Sequence, residues 1–118
     1  MTRLMREGEA LPEWVDTFGY DPLWTWVYEE SGIVKAIGIT APVFGKLFLF
    51  RLQAREALNK WWMFSFFRQI AKDSLARGIS HFYLLCEPSE RVSKVFIRKG
   101  VIHLGQPSLA FGSWRTWT

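Results

Sequence analysis

The chain is poor in the residues that most often carry chemistry. Its 118 residues include one cysteine and two histidines. A lone thiol, Cys86, allows no disulfide within the chain, so nothing points to secretion. Cys86 sits in an apolar run, where a buried structural thiol is the plainer reading; a nucleophile would want His81 or His103 beside it as a base. One Cys and two separated His cannot supply the four ligands of a zinc site, and no metal is expected. No apolar run approaches the ~18 residues of a membrane span. Arg3 and Arg6 are not followed by an apolar core, so the start does not read as a signal peptide, and a cytoplasmic protein is expected. Repeats, low-complexity tracts, a Walker loop and a GxGxxG fingerprint are all missing. No Ser-His-Asp set stands out. Glycine is missing from the whole stretch between Arg51 and Arg77.

What is present is apolar and aromatic. The composition is 49% hydrophobic and 17% aromatic, which excludes a disordered chain and suits one domain spanning 1–118 with a sizeable core. Seven Trp mean either a very aromatic core or an exposed aromatic surface, and core is the plainer reading. The net charge of +4 suits an acidic partner, although many basic domains bind none.

Residues 1–22 are mixed and turn-rich, with a helical turn expected over Glu13–Phe18. Trp24–Tyr28, Ile33–Thr40 and Leu47–Leu52 read as three strands. A hairpin turn at Glu29-Glu30-Ser31-Gly32 and a second turn from Pro42 to Lys46 link them into an antiparallel meander. Gly38 permits a bulge or a close approach of another backbone or side chain. Leu47–Leu52 is apolar enough to be covered on both faces. The period then changes. Met63, Phe67, Ile70, Ala71 and Leu75 recur at steps of three and four, one face of a helix that ends at Gly78. Ile79–Cys86 lacks alternation, as a central strand covered on both faces does. Pro88 fits the first turn of a second helix, Ser89–Lys99, which closes at Gly100. Val101–Leu104 and Ser108–Phe111 are short strands, and residues 112–118 form a Trp-rich tail. The predicted order is β-β-β-α-β-α-β-β, an α/β (α+β) fold with a mixed, mostly antiparallel twisted sheet and helices packed on it.

From Trp24 to Phe111 this order resembles the GNAT acyltransferase superfamily, which binds acyl-CoA, with an abbreviated N-terminal part. Family members typically close their second motif as Asn-x-x-Ala-x-x-x-Tyr-x-x-x-Gly-Phe. Framed on Gly100-Val101, the Asn position is Ser89, the Ala position Val92 and the Tyr position Phe96. The resemblance assigns that Tyr to protonation of the leaving thiolate, and Phe96 has no proton to give. The family's pyrophosphate loop, Gln/Arg-x-x-Gly-x-Gly/Ala, opens the long helix. Counted back from Gly78 it falls on Leu58, Asn59, Lys60, Trp61, Trp62 and Met63, so both small positions are bulky. The family's general base often lies on the strand before that loop. Leu47–Leu52 offers no carboxylate, which leaves Glu56 and Glu87 as candidates.

Val95-Phe96-Ile97-Arg98-Lys99-Gly100 is also similar to the ending of the GNAT-like small internal virion protein of short-tailed phages. Together the two resemblances imply a catalytically degenerate GNAT-like protein, phage-encoded, with a structural or interaction role in the virion or the host cytoplasm. A protein partner and no cofactor are expected. Its interaction surface would be Arg91, Lys94 and Arg98 on one helix face. Trp114 and Trp117 join that surface if the tail does not fold back on the sheet. One alternative is an active N-acetyltransferase that binds acetyl-CoA through an atypical loop. Another is an inhibitor that binds nucleic acid or a host factor through the basic helix, with Trp61 and Trp62 stacking on bases.

Overall fold

In a computed structural model the described residues are 1–17, 19–55, 61–85, 98–100, 102–103 and 109–118. For Trp61, Leu85, Ile102, His103 and Leu109 only the backbone is described. The strands are β1 (Thr2–Leu4), β2 (Thr25–Glu30), β3 (Ile33–Val43), β4 (Lys46–Ala54), β5 (His81–Leu85), β6 (Ile102–His103) and β7 (Leu109–Ser113). The long helix is α1 (Trp61–Ala76), and short 3₁₀ turns cover Pro22–Trp24 and Trp114–Trp117. Among the described residues the sheet has seven strands in the order β1-β2-β3-β4-β5-β7-β6. All neighbours pair antiparallel except β4 and β5, which are parallel and joined through α1. The mixed sheet with a helix packed on it is the expected fold class.

The helix forms where the period predicts. Trp62, Phe66, Phe67, Ile70 and Ala71 are buried on one side, and Ser65, Arg68 and Lys72 face solvent. It stops at Gly78, whose φ of +82° suits a residue without a Cβ. Gly78 N–H donates to Leu75 O and Ile79 N–H to Ser74 O, the paired bonds that satisfy the last carbonyls of a helix. The buried side of α1 lies on Trp26, Ala36, Leu47, Leu49, Phe82, Leu84 and Ala110 of the sheet. Trp26 Nε1 donates to Asp73 Oδ2 at 2.8 Å and fixes where α1 sits on β2.

Four expectations need correction. The N-terminal segment is not wholly irregular, because Thr2–Leu4 pairs with Trp26–Tyr28 as an edge strand. Three residues are too few to show a period. Residues 5–17 then cross the other face of the sheet, where Leu11, Trp14 and Val15 pack on Met5, Val27, Ile37 and Ile39. Strands β4 and β5 are buried fully only towards α1: Phe48, His81 and Tyr83 are half-buried on the far side, and Phe50 is exposed. Aromatic residues made those strands look covered on both faces.

The fourth correction concerns the tail. Trp114 is 0% exposed and Trp117 is 2% exposed, so neither belongs to an interaction surface. The 3₁₀ turn places residues three apart on one side, and that side faces the core. Trp114 lies 4.0 Å, centroid to centroid, from Phe82, and Trp117 lies 5.1 Å from Phe67. Of the residues on the expected helix face, Phe67, Ile70 and Ala71 are fully buried, and Met63 and Leu75 are half-buried. Val92, Val95 and Phe96 lie outside the described residues, as does Cys86.

Candidate functional site

The feature that organises a site is the one parallel pair in the described sheet. β4 and β5 pair through Leu47↔Phe82, Phe48↔Tyr83 and Leu49↔Leu84. Beyond that point β4 runs on to Ala54, paired there with β3. On its other edge β5 pairs with β7 from His81 to Leu85, the last of its described residues. Among the described residues the parallel ladder ends at Leu49 and Leu84, while β4 carries on to Ala54. Parallel strands that part below a crossover helix leave a crevice at those ends, with the helix N-terminus beside it. α1 begins among the described residues at Trp61, so Trp61, Trp62 and Met63 stand where such a crevice would present backbone N–H groups to an anion.

A bulge shapes the wall of this opening. Ile39 pairs with Arg51 while Thr40 pairs with Leu49, so Phe50 is the extra residue on β4. Its side chain is 37% exposed. The bulge reverses which face the following residues take. Leu52 reaches the core under α1, while Arg51 and Gln53 join the opposite face. Without the bulge Arg51 would point at the core, where an unpaired guanidinium is very costly. Gln53 then ties the N-terminal segment down. Its Nε2 donates to Trp14 O, and its Oε1 accepts from Asp16 N–H at 3.1 Å and from Arg51 Nη2 at 3.1 Å. Arg51 and Asp16 approach to 3.8 Å, a loose pair on an exposed rim.

The strongest charge cluster of the described residues lies away from the crevice, at the β1–β2 edge. Arg3 Nη1 and Nη2 donate to the two Glu9 oxygens at 2.8 and 3.0 Å, and Arg3 Nε donates to Glu29 Oε1 at 3.0 Å. The hydrogen bonds from Arg3 hold both carboxyls below the ordinary carboxylate range. All acceptor capacity facing Arg3 is used within the fold, so this cluster is a structural clamp. Sequence reading missed it because Glu29 is distant along the chain and reaches Arg3 through the β1–β2 pairing, while Glu9 reaches it from the segment after β1.

The sequence-derived site residues divide into two sets. Glu56, Leu58, Asn59, Lys60, Glu87, Ser89, Arg91 and Lys94 lie outside the described residues. Trp61, Trp62 and Met63 are the first described residues of α1. Trp62 is buried, 5.8 Å from Tyr28 and 5.6 Å from Phe66 between ring centroids. Met63 is half-buried against the same core. Arg98 is exposed, in a helical position two residues before Gly100, whose φ is +73°. His81 Nδ1 lies 2.7 Å from Ser80 Oγ, and the ring stacks on Phe111 at 5.3 Å. That is a neighbour contact at the opposite, amino end of β5. No helix among the described residues is long and apolar enough to cross a membrane.

No known protein-family profile matches the sequence, and no curated protein sequence does. Solved structures do match its fold. The ribosomal-protein-S18-alanine N-acetyltransferase of Escherichia coli superposes with a TM-score of 0.62 at 12% identity, over 75% of this chain and 67% of that one. The PaiA N-acetyltransferase of Thermoplasma acidophilum, in complex with coenzyme A, gives 0.61 at 14% identity, over 75% and 59%. The AtaT–AtaR complex bound to DNA gives 0.53 at 17% identity, over 79% and 68%. The chain thus spans about six-tenths to two-thirds of the length of its structural neighbours. At such low identity the likeness is one of architecture, and on that ground this chain has the fold of the GNAT acetyltransferases.

Proposed function

We propose that this chain is a catalytically degenerate protein on the GNAT fold, with a structural or interaction role and a protein partner in a phage setting. The observation that carries the reading is the entry to α1. Its first three residues are Trp61, Trp62 and Met63, and no glycine occurs between Arg51 and Arg77. Pyrophosphate recognition needs successive backbone N–H groups that phosphate oxygens can reach to ~2.9 Å, and residues without side chains permit that approach. Trp62 is packed between Tyr28 and Phe66, so this turn is anchored to the core by an aromatic ring. Leu47–Leu52 carries no carboxylate to act as a base, and Phe96 stands at the position of the acid. The exposed Arg98 supports a partner surface on the basic segment with Arg91 and Lys94. The likeness of residues 95–100 to a phage virion protein supports the phage setting, in the virion or the host cytoplasm.

A second reading is an acetyl-CoA-dependent N-acetyltransferase. The parallel β4–β5 pair joined through α1 and the bulge at Phe50 on the strand that leads to that helix favour it. The similar PaiA structure holds coenzyme A. In that reading Leu58–Met63 and Ser89 hold the cofactor and Glu56 or Glu87 is the base. Nucleic-acid binding rests on the basic segment and on similarity to a complex that contains DNA. Calorimetry with acetyl-CoA separates the first two. The degenerate reading predicts no binding tighter than about 1 mM, roughly 4 kcal/mol of standard free energy. Micromolar binding at one site per chain overturns it.

A further inference from the structure

Charge is divided unevenly along the chain. Residues 1–30 hold seven carboxylates and two arginines, a net charge of −5. Residues 31–118 hold four carboxylates and thirteen Lys and Arg, a net of +9, and the two parts make up the +4 of the whole. The fold keeps the two parts apart. Residues 1–30 build β1 and β2 at one edge of the sheet, and the segment between them packs on the face away from α1. Both of its arginines stand among carboxylates there: Arg3 is held by Glu9 and Glu29, and Arg6 N–H donates to Glu9 Oε1.

A group of cations gathers around the outer flank of α1. The Trp117 ring lies 6.5 Å from Phe64 and 5.1 Å from Phe67 of α1, and Lys99 Nζ stands 5.7 Å above it. Thr116 Oγ1 donates to Lys99 O at 2.8 Å, which ties the end of the basic segment to the same 3₁₀ turn. Arg68 comes one helical turn after Phe64, and Lys72 one turn after Arg68, so both rise from the side of α1 that meets Trp117. Arg115 is in the 3₁₀ turn itself. Arg68, Lys72, Arg98 and Arg115 are exposed, and Lys99 is half-buried on the ring. Among the described residues none of these five makes an ion pair. Asp73, the one carboxylate of α1, is turned to β2, where it accepts from Trp26 Nε1 at 2.8 Å and Gln69 Nε2 at 3.0 Å. Like charges one helical turn apart repel, so folding gains nothing from Arg68 beside Lys72.

We infer that this face binds the phosphate backbone of duplex nucleic acid. Five neighbouring cations with no described carboxylate among them suit a polyanion. A protein partner would want an apolar centre to its interface. The exposed large apolar residues among those described all fall within residues 1–50, so α1 and the 3₁₀ turn contribute none. A single strand would want rings on which its bases stack. Trp62, Trp114 and Trp117 are buried and Phe64 is half-buried against Trp117, so the face offers charge without a stacking platform. The backbone of a duplex asks for charge alone. The acidic edge at β1 and β2 is repelled by the same ligand, which turns α1 towards it. The surface lies on the outer flank of the helix, so it stands whether or not acetyl-CoA binds at the helix entry.

The number of cations sets the strength. About four phosphate contacts give a slope of log K against log salt of roughly −3.6, and about a hundredfold loss of affinity between about 50 and 200 mM salt. Binding of this kind carries no sequence preference.

Fluorescence anisotropy of a labelled duplex of about 20 base pairs, titrated with the intact chain, tests this. At about 50 mM salt a dissociation constant on the order of 10 μM is expected, weakening about a hundredfold by about 200 mM. Arg68→Gln combined with Lys72→Gln should weaken binding about tenfold or more and reduce the salt slope by about 2, with the melting temperature unchanged. Lys46→Gln removes a cation beside Phe48 and Tyr83, on the opposite face of the sheet, and should leave affinity within about twofold. No binding at about 100 μM chain and about 50 mM salt overturns the inference. So does a double variant that binds as well as wild type, or a Lys46→Gln protein that loses as much as the double variant. Tighter binding to a single strand of the same length overturns it too, as does binding to phosphatidylserine vesicles without binding to the duplex.

Discussion

Replacing Gly38 by alanine probes how closely α1 packs on the sheet that carries the crevice. Gly38 lies in the middle of β3, opposite Trp26 and Leu52. A Cβ there would stand 3.1 Å from Phe66 Cζ and 3.5 Å from both Phe66 Cε1 and Leu49 Cδ1. The backbone is ordinary extended strand, so alanine by itself gains about 0.5–1 kcal/mol through the unfolded chain. Against this, the Phe66 ring has little room to retreat. It stacks on Phe67 at 5.8 Å and leans on Trp62 at 5.6 Å. Overfilling such a site typically costs about 1–3 kcal/mol. The net is a loss of about 1 kcal/mol, or a melting temperature lower by roughly 3–6 °C for a chain of this size. Urea denaturation and calorimetry would read it. In a Phe66→Leu background the clash disappears, and Gly38→Ala should become neutral or stabilising, a coupling of about 1 kcal/mol. A rise in melting temperature in the wild-type background, or the same cost in both, would refute the packing account.

Two further outcomes follow from the burial and the charges. Trp114→Ala removes a fully buried ring packed at a tilt on Phe82 and should cost about 3–5 kcal/mol, whereas a loss under about 1 kcal/mol would return that residue to the surface. The Arg3 clamp depresses the Glu9 and Glu29 carboxyls, so its contribution is complete above their ordinary value of 4.5 and fades as pH falls through the lowered folded values. Arg3→Met should flatten the stability profile of the protein in that acid range and leave its shape near neutrality unchanged; an unaltered acid limb would remove the clamp from the account.

Much of the architecture was legible in the chain. The step from period two to period 3.6 marked α1, and Gly78 marked its end to within a residue or two. Two hairpin turns, each ending in a glycine, set the meander. What the pattern left out has physical causes. β1 is three residues long and depends on its partner strand, so no local signal announces it. The bulge at Phe50 redirects Arg51 and Gln53, and alternation counted through that point assigns them to the wrong face. The Trp-rich tail looked exposed because little apolar sequence surrounds it, yet the three-residue spacing of Trp114 and Trp117 was itself a signal for one buried face. Gly38 was marked for close approach, and Phe66 is the group that approaches. The candidate site was less legible. Its defining property, the parallel pairing of β4 with β5, belongs to strand pairing, and residues 56–60 and 86–97 lie outside the described residues.

The central proposal is that a chain with this fold does not bind acetyl-CoA, because bulky residues at the start of α1 keep phosphate from its backbone donors. The most direct measurement is a calorimetric titration of the intact chain with acetyl-CoA. No heat of binding up to about 1 mM is the predicted result. Saturable binding at micromolar concentration, one acetyl-CoA per chain, would contradict it and turn the same crevice into the active site of an acetyltransferase.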